Sequence, residues 1–200
     1  MTHTPVQSPK AVRWTVAEYE RLASRGFFKR RRVELVNGRI IEMPPKLEPH
    51  VASVSLSAKA LARAFGDGYY IRQEAPLRQG SRSKPEPDIA VVRGSEWDYV
   101  EAGCPSDALL VVEVSEKTLR YDRGKKAALY ARHGIADYWI VNLVDRQLEV
   151  HREPIADASH QHAYRYATIL VFKPGQSVSP LHAQEKHVAV AELMPWRHQL

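Results

Sequence analysis

The sequence predicts a mixed α/β protein built on a central mixed β-sheet flanked by helices, with β-hairpins around it. Three observations carry that expectation. Leu109-Leu110-Val111-Val112 is an almost unbroken apolar run, the composition of a strand covered on both faces near the middle of a sheet. Val51, Val54, Ala58, Leu61 and Phe65 recur at spacings of three and four, which is one stripe of a helix of about four turns. Asn37-Gly38 stands between two short apolar runs and is a strong hairpin signal, because both residues tolerate positive φ.

In chain order, residues 1–12 mix Pro, Ser, Thr and Gln with little apolar content and read as a flexible leader. Residues 13–200 are expected to form a single domain. Thr15-Val16-Ala17-Glu18 fits a capping box, so a helix opens there and runs toward Gly26. Arg32–Val36 and Arg39–Met43 form the hairpin, and a helix from His50 to Phe65 ends at Gly66-Asp67-Gly68. Tyr69–Gln73, Ala75–Arg78 and Asp88–Val92 are expected strands, followed by the buried strand Leu109–Val114. A helix from Asp122 to His133 closes on Gly134, which suits a left-handed cap. Tyr138–Val141, Leu148–Arg152 and Tyr164–Phe172 complete the strands.

At 200 residues, 44% hydrophobic and 26% charged, the chain can bury a core, and wholesale disorder is excluded. Its apolar runs fall far short of the ~20 residues that cross a bilayer, and it opens without a signal peptide's apolar stretch. A soluble, cytoplasmic protein with no membrane partner is expected. The single cysteine, Cys104, excludes an internal disulfide and a cysteine-held zinc. Lys and Arg outnumber Asp and Glu by 29 to 23, for a formal charge of +6, so a polyanionic partner such as DNA is admissible. Arg30, Arg31 and Arg32 make the densest cluster and are candidate nucleic-acid contacts, against the plain alternative of a solvated basic face.

Three acids stand where acids are costly. Asp88 opens a strand of pure hydrophobes, Glu113 interrupts Leu-Leu-Val-Val-Glu-Val, and Glu34 lies between Val33 and Leu35. A carboxylate in such a strand must be paired, hydrogen-bonded or metal-bound. Two of them at corresponding ends of neighbouring strands would suit a hard, oxygen-preferring cation such as Mg²⁺ or Mn²⁺. Asp122, Lys126 and Tyr130, spaced i, i+4 and i+8, are expected to share one helix face.

Glu34-Leu35-Val36-Asn37-Gly38, His50, Pro87-Asp88, Glu113-Val114-Ser115, Asp122-Arg123-Gly124-Lys125-Lys126, Tyr130, Gly134 and Tyr138-Trp139 together resemble the signature of the Uma2 family. That family is similar to the restriction-endonuclease branch of the PD-(D/E)xK nuclease superfamily, and the resemblance spans roughly residues 13–152. It implies a restriction-endonuclease-like core, a divalent cation and hydrolysis of DNA phosphodiester bonds. Asp88 and Glu113 match the two acids that would hold Mg²⁺ or Mn²⁺, and Glu34 an auxiliary acid. The superfamily's usual lysine is absent, since Ser115 stands two residues after Glu113; the matching lysine is Lys126, on the following helix. Ser115, Asp122, Tyr130 and His50 are implied auxiliaries. A non-cleaving nucleic-acid-binding module and a structural or regulatory homodimer of the same fold stay open as alternatives. Removing the metal ligands is expected to raise stability, because two close carboxylates repel each other without a cation.

Overall fold

The computed structural model describes residues 10–196. Residues 1–9 of the expected leader lie outside the described residues. Helix α1 (Val16–Ser24) opens on the expected capping box: the Glu18 amide donates to Thr15 Oγ1 at 3.3 Å and the Thr15 amide to Glu18 Oε2 at 2.8 Å. Strands β1 (Val33–Val36) and β2 (Arg39–Glu42) form the antiparallel hairpin, with Asn37 at φ 50° and Gly38 at φ 74° in its turn. Gly38 is required twice over, since a Cβ there would sit 2.8 Å from Arg13 Cβ. Helix α2 (Glu48–Phe65) begins before His50, because Pro49 presets its first turn. Its stripe Val54, Ala58, Leu61 and Phe65 is buried, whereas Val51 in the first turn stays 46% exposed.

Strands β3 (Tyr69–Gln73) and β4 (Ile89–Arg93) come next, then a short helix α3 (Glu96–Ala102). Helix α3 buries no residue, so no periodicity announces it; its only sequence sign is the capping box of Ser95 and Asp98. The strand expected over Ala75–Arg78 does not form. Pro76 lacks a ladder donor, and the amides of Leu77 and Arg78 bond two different loop carbonyls, those of Pro85 and Pro105.

Strand β5 (Leu110–Ser115) is followed by α4 (Leu119–Tyr121), a π-helical turn (Asp122–Lys126) and α5 (Ala127–Arg132). The helix expected from Asp122 to His133 is thus interrupted rather than regular. Its expected end holds, with Gly134 at φ 75°. Strands β6 (Asp137–Asn142), β7 (Gln147–Ala156) and β8 (Tyr164–Phe172) complete one six-stranded sheet of order β3-β4-β5-β6-β7-β8. Only β5 and β6 run parallel, so the sheet is mixed, and the helical segment after β5 is the crossover that a parallel pair requires. A two-stranded ribbon, β9 (Ser177–Val178) with β10 (Val188–Ala189), and a 3₁₀ turn at Val190–Leu193 follow.

Strand alternation divides the core. Ile89, Val91, Val112 and Val114 face α2 with Leu61 and Phe65, while Ala90, Val92 and Val111 face α5 with Tyr130 and Tyr138. Strand β5 is buried along its whole length. The hairpin packs on α1 as a smaller cluster of Val16, Tyr19, Val33 and Leu35. At the sheet's edge, Ile169, Leu170 and Val171 of β8 are exposed in succession, an edge of the kind that pairs with a second chain.

Glu149 on β7 is buried and accepts from Arg123 at 2.8 and 2.6 Å, from Asn142 at 2.7 Å and from Gln147 at 3.1 Å. Burial alone would raise its pKa, but these donors, Arg123 foremost, hold it well below the usual carboxylate range. A depressed folded pKa contributes stability that is complete above the unfolded value of about 4.3 and is lost as pH falls through the folded one. The melting temperature of Glu149→Gln, followed by circular dichroism from pH 7 to pH 3, should therefore fall less steeply than that of the parent below about pH 4. Parallel curves would deny Glu149 this part in acid unfolding.

Candidate active site

The antiparallel register of β4 and β5 pairs Ile89 with Val112, and one further step sets Asp88 opposite Glu113. Both side chains lie on the sheet face that Ala90 and Val111 share. Asp88 is 4% exposed. Its Oδ2 accepts the Val114 amide at 2.8 Å, and its Oδ1 accepts Lys46 Nζ at 2.6 Å and meets His50 Nε2 at 3.0 Å. Burial would raise its pKa, but the hydrogen bond and charge of His50, with the charge of Lys46, prevail and hold it down to about 2.

Glu113 has the opposite balance. Its Oε1 accepts Lys126 Nζ at 2.9 Å and Tyr130 Oη at 2.7 Å. Burial pushes its pKa up; the Lys126 ammonium opposes, while Asp122, Asp88 and Glu34 add to the rise. Lys126 is wholly buried on the π-helical turn, and its ammonium also lies 2.8 Å from Glu34 Oε2. That contact is an ion pair off the line of a hydrogen bond, so Glu34 Oε2 is buried without an aligned donor. Burial disfavours the lysine's charge, yet Glu113, Glu34 and Asp122 more than offset it and raise its pKa well above the ordinary value. Asp122, the other buried end of the turn, accepts Ser115 Oγ and Thr118 Oγ1, both at 2.6 Å, through Oδ2.

Glu34, Ser115, Asp122, Lys126 and Tyr130 thus gather around Glu113, and His50 stands at Asp88. The structure separates two roles that the sequence leaves together. A cleft of about 40 Å³ is lined by Glu34, Glu86, Asp88, Glu113 and Asp122 together with Lys46, but Lys126 lies behind its wall. That volume holds an ion with a water or two, so a larger substrate must lie across the mouth. Arg31 is engaged with Glu42 at 2.7 Å, Arg32 lines the cleft, and Arg30 is exposed.

Sequence reasoning missed Lys46, Glu74 and Glu86. Lys46 bridges Asp88 and Glu74, at 2.6 Å to each. Glu86 carries a signal that could have found it: two residues before Asp88 in extended chain, it projects to the same side. Burial, with Glu34 nearby, raises its pKa. Lys46 and Glu74 sit in irregular segments and carry no such sign.

Ligand atoms of His50, Glu74 and Asp88 all lie within 4.8 Å of one another. A donor set of carboxylate oxygens with one imidazole suits a hard or borderline divalent cation. The ammonium that bridges Asp88 and Glu74 agrees with a cleft built for positive charge.

A profile described as "Uma2: Putative restriction endonuclease" matches residues 16–190. No curated protein matches. Among solved structures the chain is similar to the crystal structure of "a putative nuclease belonging to DUF820" from Anabaena variabilis ATCC 29413. The two are 19% identical, the match covers 90% of this chain and 96% of the other, and the TM-score is 0.65. At that identity the likeness shows the fold.

Proposed function

The chain belongs to the Uma2 family, and from that premise we propose that it is an endonuclease that hydrolyses DNA phosphodiester bonds with a divalent cation, Mg²⁺ or Mn²⁺. The observation that carries this reading is the convergence of Asp88 and Glu113, from adjacent strands, on one cleft backed by a buried lysine. Asp88 would hold the cation with Glu113, His50 and Glu74 as its neighbours, and Lys46 would yield its place. When bound, the cation polarises the phosphate and lowers the pKa of an attacking water.

The remaining tasks fall to the chain's own residues. Asp88 is kept ionised by its three donors and so is ready as a ligand. Glu113 is oriented by Tyr130 and Lys126, which fix the oxygen they share. Lys126 does not line the cleft, so it acts as a positioning residue that keeps Glu113 and Glu34 close together. Lys117 and Lys46 do line the cleft and are the ammonium groups placed to meet a phosphate oxygen at its mouth.

The test is plasmid nicking. The purified protein should convert supercoiled DNA to open circles in Mg²⁺ or Mn²⁺ and not in EDTA, and Asp88→Ala and Glu113→Gln should each abolish the conversion. Nicking that survives in both variants would move the chemistry elsewhere. Salt-dependent binding without nicking would favour the non-cleaving module.

A further inference from the structure

On the other side of the hairpin and the π-helical turn lies a second concavity, of about 530 Å³, lined by Arg13, Arg39, Lys125, Arg132 and His162 among others. It adjoins one of about 350 Å³ that shares Arg13, Asn37 and Arg132 and adds Arg82 and His133. Tyr121 belongs to this groove and Asp122, the next residue, to the acidic cleft; Lys125 faces the groove while Lys126 faces the acids. Among the described residues no Asp or Glu lines either cavity, and residues 1–9 and 197–200 contain none.

Some basic side chains elsewhere on this protein pair with acids, among them Arg31 with Glu42, Arg123 with Glu149, Arg152 with Asp137 and Arg165 with Asp157. Arg13, Arg39, Arg82, Lys125 and Arg132 are exposed, and none makes an ion pair among the described residues. Lys125 lies over the Tyr121 ring at 5.8 Å and Arg132 over the Tyr164 ring at 6.0 Å, contacts that leave their charges uncompensated. Burial, with His160 and Lys125 beside it, depresses the pKa of His162, as a locally positive field should. Five unpaired cations in a groove without a carboxylate form a site for repeated negative charge.

We propose that this groove binds the phosphodiester backbone of a nucleic-acid strand beside the cleft. The inference rests on the reading of the cleft as acting on nucleic acid, and it assigns a place to the length of strand away from the bond that is cut. Two joined cavities suit a chain of phosphates better than a compact anion, and a concave groove does not fit a flat bilayer. Guanidinium groups, four of the five cations, are suited to phosphate.

The test measures the anisotropy of fluorescein-labelled 20-residue DNA, single-stranded and duplex, in EDTA so that nothing is cut. The triple variant Arg39→Gln, Arg82→Gln, Lys125→Gln should bind at least tenfold more weakly than the parent. Its slope of log K against log[salt] should be shallower by about 0.7–0.9 for each phosphate that is no longer neutralised. Because these side chains are exposed, its melting temperature should be unchanged; the double variant Arg13→Gln, Arg132→Gln, at the shared wall of the two cavities, repeats the measurement independently. Parental affinity and slope in both groove variants would overturn the proposal, as would binding to phosphatidylserine vesicles but not to DNA. A parent that binds through the groove but nicks nothing would sink the nuclease reading and leave the groove standing.

Discussion

Lys126→Ala is expected to be the most damaging single substitution in the protein, for stability first and for cleavage as a consequence. The ammonium is wholly buried, 2.9 Å from Glu113 and 2.8 Å from Glu34, with Asp122 contributing to the same field. Removing one partner of a buried ion pair strands the other charge, which costs about 3–5 kcal/mol. Here two carboxylates lose one cation. Urea unfolding in EDTA should show a loss of that size, with nicking abolished. Adding Mn²⁺ should stabilise the variant more than the parent, since the uncompensated acids face a cleft suited to a cation. A parental unfolding midpoint would mean that Lys126 positions neither Glu113 nor Glu34. Lys117→Ala, by contrast, removes an exposed ammonium at the mouth and should lower activity without changing stability.

Asp88→Asn should abolish divalent-cation binding, lower nicking by several orders of magnitude and also destabilise the fold. The last effect reverses the expectation, drawn from repulsion between two acids, that losing a ligand adds stability. Asp88 is not poorly compensated: Lys46, His50 and the Val114 amide all face it, and its pKa lies near 2. Hydrogen bonds to a charged acceptor are worth about 1.5–3 kcal/mol each, and an amide oxygen replaces them only in part. Titration calorimetry with Mn²⁺ should show no site in the variant, and its unfolding midpoint in EDTA should be lower than the parent's. Unchanged Mn²⁺ binding would remove Asp88 from the ligand set.

The sheet and its flanking helices were legible because the rules that build them are local. The unbroken apolar run Leu109–Val112, period 3.6 from Val54 to Phe65, and Asn37-Gly38 each dictate an element regardless of what packs on it. The buried acids were legible for a related reason, since a carboxylate among β-branched residues has few fates. What stayed hidden depends on contacts across the chain. Lys46 and Glu74 meet Asp88 from irregular segments, and nothing near them in sequence marks that meeting. Helix α3 buries nothing, so it has no stripe. The groove cations Arg13, Arg39, Arg82, Lys125 and Arg132 are scattered, whereas the run Arg30-Arg31-Arg32, conspicuous in the sequence, divides among solvent, Glu42 and the cleft.

The wide turn at Asp122–Lys126 bears on how the chain's length can vary. In an α-helix each residue advances the azimuth by about 100°, so positions eight apart, such as 122 and 130, end about 80° out of line. Here the Ala127 amide reaches back to the carbonyl of Asp122, and the turn holds one residue more than an α turn. With that residue absorbed, Asp122 and Tyr130 stand as though seven apart, about 20° out of line. The turn therefore works as an insertion already accommodated: losing Gly124 would make the helix regular while Asp122 and Lys126 kept the orientations set by their own flanks. One residue added within α5 would instead swing Tyr130 through about 100° and off Glu113. Within the helical part of the crossover, a change of one residue here leaves the inward-facing side chains where they are.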